Sequence, residues 1–73
     1  MRDSAPAKAE IDPKAVREKA GLAAAEMAAL IGMSEYGYTA WEAGHRRPGG
    51  PAHRLLALID ADPDTTTRRL ASL

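Results

Sequence analysis

The densest chemical signal in this chain lies between His45 and Arg54, HRRPGGPAHR, which holds three arginines, two histidines and no acid. Guanidinium forks at this density suit phosphate, because Arg meets an oxyanion with two parallel N–H donors. A solvated turn would show the same letters. His45 and His53 stand eight residues apart without a Cys to join them, which argues against a metal site. Gly49-Gly50 is not followed by Gly-Lys-Ser/Thr, so no phosphate loop of an NTPase is present. The acids are scattered and there is no thiol nucleophile. An enzyme is not expected, and neither is a cofactor.

Composition sets the frame around that stretch. Seventy-three residues make one small domain, with Lys and Arg balanced by Asp and Glu to a formal net charge of zero. Phosphate neutralisation supplies much of the affinity for DNA, so a zero balance weighs against nucleic-acid binding as a global property. The charge is segregated, however, with three Asp between Asp60 and Asp64 and none in the basic stretch. One basic face remains open to the fold. The absence of Cys fits a reducing compartment. No apolar run reaches membrane-spanning length, and Met1 to Glu10 lacks the apolar core of a signal peptide. A soluble cytoplasmic protein with no membrane partner is the expectation.

The elements that must position these residues can be read from caps and spacing. Residues 1–10 are expected to form a flexible N-terminal arm in which Arg2 and Lys8 could touch phosphate. Asp12-Pro13 opens a first helix, with Asp as cap and Pro at the first helical position, running to about Ala20 and stopping at Gly21. Its Lys14, Arg17, Glu18 and Lys19 read as a solvated face. A second helix begins near Ala24. Glu26 stands where a capping box wants it, but Ala23 has no hydroxyl to complete the box. Apolar Met27, Ala28, Leu30 and Ile31 recur at helical spacing until Gly32. Met33 and Ser34 then lead into a third helix, Glu35 to Ala43, with Ser34 as N-cap and Met33 against Tyr38 as a hydrophobic staple. A fourth helix, Pro51 to about Ala61, carries Leu55, Leu56, Leu58 and Ile59. Pro63 ends it, and Asp64 caps a last helix whose three consecutive threonines promise little intrinsic stability. The core is expected from Val16, Leu22, Met27, Ala28, Leu30, Ile31, Met33, Tyr38, Trp41 and Leu56.

Helix, Gly-apolar-Ser turn, helix is the plan of a helix-turn-helix. Ala28, Gly32, Tyr38, Trp41-Glu42-x-Gly44, Arg46-Arg47-Pro48 and Gly50-Pro51 occur in the order in which the chain resembles Cro/C1-type (XRE) helix-turn-helix regulators. It is most similar to their small antitoxin-like or mobile-element branch. The resemblance spans roughly Val16 to Asp62. It implies an all-α, compact five-helix lambda-repressor-like domain over residues 11–73 with a C-terminal dimerisation helix. It also implies a homodimeric autorepressor on a palindromic operator in double-stranded DNA, of antitoxin-like, phage or anti-CRISPR-associated type.

The resemblance makes the third helix the recognition helix, with base contacts from Glu35, Tyr36, Gly37, Thr39 and Ala40. Phosphate contacts would come from Ala24, Ser34, Arg46, Arg47 and Arg54. Relatives commonly carry Ser or Thr where Ala23 stands and Gln where Ala24 stands, so only a backbone N–H remains for a phosphate at Ala24. Glu42 is implied to be structural, through a half-buried charge contact. Surplus leucines assign the dimer interface to Leu55, Leu58, Ile59, Leu70 and Leu73. The recognition helix is poorly armed for bidentate base pairing. A second expectation of another class therefore stands beside the first: a helix-turn-helix module turned to binding a protein partner, with weak or no DNA binding.

Overall fold

The structure, a computed structural model, describes residues 11–73, so the proposed arm at residues 1–10 lies outside the described residues. Five helices follow one another: α1 (Pro13–Ala20), α2 (Ala24–Ile31), α3 (Glu35–Glu42), α4 (Gly50–Ala61) and α5 (Pro63–Ala71). No strand occurs among the described residues.

Local chemistry sets the boundaries. The Asp12 carboxylate accepts from the N–H groups of Lys14 (3.1 Å) and Ala15 (3.3 Å), two donors a helix start leaves unpaired. Helices α1, α2 and α3 all close in the same way. Beyond α2, the Gly32 N–H bonds Ala29 O and the Met33 N–H bonds Ala28 O, with Gly32 at φ +81°. This paired wrap needs a left-handed residue, which Gly adopts without a Cβ clash. Gly21 and Gly44 play the same part after α1 and α3.

The last boundary differs from expectation. Asp62, not Asp64, caps α5, accepting the Thr65 N–H at 3.2 Å, and Pro63 is the first residue of α5 as well as the stop for α4. Pro is tolerated at that position because its missing N–H would have had no partner. The threonines are also better held than their propensity suggests. The Thr67 hydroxyl donates to Pro63 O at 2.7 Å, and that of Thr66 reaches Leu58 O at 3.4 Å, tying α5 to α4.

Helices α2 and α3 pack on each other, α1 and α5 pack on α4, and the core lies where they meet. Val16, Met27, Ala28, Tyr38, Leu56 and Ile59 are sealed from solvent. Leu22, Leu30, Ile31, Met33 and Trp41, expected in the core, are half-buried and pack around this centre. Ala28 is a small residue of α2 sealed in this core. Tyr38 is the largest sealed side chain; its hydroxyl donates to Pro13 O at 2.7 Å, which joins α3 to α1. Its ring meets Trp41 tilted at 58°, centroids 5.5 Å apart, within the favourable range for aromatic pairs.

Ile59 corrects the expected dimer surface. It is fully buried in its own domain, because its position on α4 faces the same core as Leu56. Leu55 and Leu70 are half-buried against that core, whereas Leu58 (59% exposed) and Leu73 (96% exposed) stand outside it.

Candidate nucleic-acid interface

The expected solvated face of α1 is only partly solvated. Arg17 is half-buried and closes a fork on Glu42, Nε to Oε2 at 2.5 Å and Nη2 to Oε1 at 3.1 Å. Its Nη1 also donates to Leu22 O at 3.1 Å. One guanidinium thus ties α1, the α1–α2 connection and the end of α3. The hydrogen bonds that Arg17 donates to Glu42 raise the Arg17 pKa above its ordinary value, against the opposing effect of desolvation. Glu42 therefore has the structural role the resemblance implied, with its partner now identified. The pattern held a clue to Arg17: it lies one helical turn after buried Pro13 and three residues before half-buried Ala20, on the inner side of α1. Lys19 is likewise bound, donating to Asp60 O on α4 at 2.7 Å.

This clamp sits behind α3 and leaves the opposite face outward. Glu35, Tyr36 and Thr39 are exposed there, Tyr36 to 83%, while Ala40 and Gly37 are half-buried. The Thr39 hydroxyl donates to Tyr36 O at 3.0 Å, so its proton is spent on the helix's own backbone. A side chain at Gly37 would press on its neighbours, though the nearest is the movable end of Met33. A Cβ there would lie 2.9 Å from Met33 Cε and 3.3 Å from Ser34 Oγ.

Ser34 caps α3, its Oγ accepting the Gly37 N–H at 3.0 Å, which leaves the hydroxyl proton as what it can offer a phosphate. The start of α2 is less hospitable to anions than expected. The Glu26 carboxylate accepts the Ala23 N–H at 2.7 Å, half of a capping box, and so sets a negative charge beside Ala24. Ala24 itself is half-buried. Beyond α3, Arg46, Arg47 and Arg54 are all exposed.

One residue of this face was not anticipated. Gly44 (φ +82°) turns the chain back, and the His45 N–H bonds Ala40 O at 2.9 Å. His45 then joins Tyr36, Thr39, Ala40 and Ala43 around a hollow of about 300 Å³ on the outer side of α3. The signal was available, since the residue after a closing Gly folds back over the last helical turn.

A short helix packed across a Gly-Met-Ser turn from a second, more exposed helix, with arginines at the exit of the latter, defines a helix-turn-helix domain. The Helix-turn-helix family model matches residues 14–57, well over half of the chain, and the protein belongs to the Cro/C1-type helix-turn-helix family. At that general level it is a DNA-binding regulator. No curated protein and no solved structure gives a significant match. Among the described residues no helix is long and apolar enough to cross a membrane.

Proposed function

We propose that the protein binds a palindromic duplex site as a homodimer and represses transcription from it, its own promoter included, in the cytoplasm. The observation that carries this reading is the exposure of one continuous surface: the outer face of α3, Ser34 at its start, and Arg46 and Arg47 just past its end. Glu35, Tyr36, Gly37, Thr39 and Ala40 lie at the base edges of a major groove in this reading. Arg46, Arg47 and Arg54 neutralise phosphates, with weaker help from the Ser34 hydroxyl and the N–H groups near Ala24. The ordered Trp41-Glu42-x-Gly44 ending supports a regulator of the small antitoxin-like branch, of the type found with toxin–antitoxin, phage or anti-CRISPR operons.

A dimer is supported by an apolar band. Leu70 and Leu73 line one groove with Leu30 and Ile31; Leu55 lines the next with Met33 and Trp41, and Ile31 belongs to both. A dimer paired through this band must place its two α3 helices about 34 Å apart to read successive major grooves. Leu58 lies outside the band, and Ile59 is sealed.

Selection of bound fragments from a random duplex library tests the reading: an enriched palindrome supports it, and no enrichment at low salt rejects it. A salt titration tests the anchors. Arg46→Ala with Arg47→Ala should weaken binding to all sequences and lower the salt slope by about one unit per lost contact.

A second reading, a module for binding another protein, is favoured by the largely exposed Tyr36 beside Ala40 and Ala43, and by the carboxylates of Glu26 and Glu35 at the starts of α2 and α3. It requires the duplex selection to fail.

A further inference from the structure

We infer that the hollow bounded by Tyr36, Thr39, Ala40, Ala43 and His45 reads thymine through its 5-methyl group, so that base preference comes from apolar contact rather than from paired hydrogen bonds. The inference rests on the DNA-binding reading above and names what its recognition surface prefers.

The chemistry of the helix points this way by what it offers. Helix α3, EYGYTAWE, has no Arg, Lys, Asn or Gln, the side chains that hold guanine or adenine through two hydrogen bonds. Of its two carboxylates, that of Glu42 is taken by Arg17, and Glu35 lies outside the hollow. The Thr39 hydroxyl gives its proton to Tyr36 O, which leaves the Tyr36 phenol and the His45 ring as the hydrogen-bonding groups of the lining. What the hollow presents is therefore mostly methyl and ring: Ala40, Ala43, the Thr39 methyl and the Tyr36 ring, closed on one side by His45.

Small side chains also let a base edge come close to the helix, which a shallow methyl contact requires. Ala and Thr methyl groups are suited to the thymine methyl in the major groove. His45 is held in place rather than trailing in the loop, because its N–H is bonded to Ala40 O. Next along the chain come Arg46 and Arg47, both exposed, residue types suited to phosphates that flank a contacted base. No acid lines it. A mostly apolar dimple with exposed arginines next in the chain suits a pyrimidine methyl on a phosphate-flanked duplex.

The test uses the full chain and the duplex recovered by random selection. Each thymine is replaced in turn by uracil, which removes the methyl and keeps every hydrogen-bonding group. Burying one such group is worth about a fourfold change in affinity, and at least one thymine per half-site should show a loss of that size. Thr39→Ser keeps the hydroxyl bond to Tyr36 O and deletes only the methyl; Ala40→Gly deletes a second methyl of the lining. In at least one of these variants the thymine-to-uracil ratio should fall towards one. If a specific site is selected but uracil costs less than twofold everywhere, or if neither variant alters the ratio, the inference is overturned while the regulator reading stands. If no site is selected, both fall together.

Discussion

Replacing Tyr38 by Phe removes one hydroxyl from the centre of the domain, and the consequence can be worked through. The ring is fully buried and the lost bond, 2.7 Å to Pro13 O, is the link between α3 and α1. A buried hydrogen bond of this kind, together with the acceptor it leaves behind, is worth about 1–2 kcal/mol. For a domain of this size that lowers Tm at pH 7 by roughly 6–13 °C.

The same hydroxyl adds a pH signature. Burial, reinforced by the charge of Glu42, pushes the Tyr38 pKa up from 10.0 to about 12. The folded state then holds this proton more tightly than the unfolded chain does. Its contribution is complete below pH 10 and is lost as pH rises towards 12. At pH 11 the native protein should have lost about 1.4 kcal/mol through this group alone, since one pKa unit corresponds to that amount. The Phe variant has no such group and escapes this loss.

Urea unfolding followed by Trp41 fluorescence, at pH 7 and pH 11, compares the two proteins while the effects of all other titrating groups cancel. The stability gap should be about 1–2 kcal/mol at pH 7 and close to zero at pH 11. A gap of the same size at both values, or none at pH 7, would refute the role given to the Tyr38 hydroxyl.

Other perturbations have outcomes as definite. Glu26→Gln retains an acceptor for the Ala23 N–H but removes a negative charge from the start of α2, so duplex affinity at low salt should rise by about threefold; unchanged affinity would remove that end of α2 from the phosphate path. Gly32→Ala meets no neighbour within 4 Å, so its cost is the left-handed backbone alone, about 1–2 kcal/mol in a denaturant melt. Arg17→Ala and Glu42→Ala should each lower the melting midpoint, and the double variant should lose less than the sum of the two, because the second removes a partner already orphaned. Strict additivity would mean that the fork does not couple α1 to α3.

Much of the fold was legible because helix boundaries are local chemistry. Asp12, Ser34 and the glycines at 21, 32 and 44 act on N–H and C=O groups within a few residues of themselves, and a linear reading captures such effects. Asp62 and Asp64 show the limit of that reading. Both can cap, and Pro63 lies between them; the choice depended on whether the proline closed α4 or opened α5, and the short link between two packed helices made it do both.

The sequence by itself determined the five helices, the Gly-Met-Ser turn, Tyr38 as a core residue and the basic stretch after α3, because each follows from residue type and near-neighbour spacing. Tertiary structure alone decided the partners separated by long loops of chain: Arg17 with Glu42, the Tyr38 hydroxyl with Pro13 O, and Lys19 with Asp60 O. It also separated the leucine-rich face of α4 into a sealed Ile59 and an open Leu58, and it brought His45 back over Ala40. The physical reason is common to all of these. A side chain's letter sets what it can bond or bury, but only the packing of whole helices sets which distant group it meets and which of its faces water still reaches.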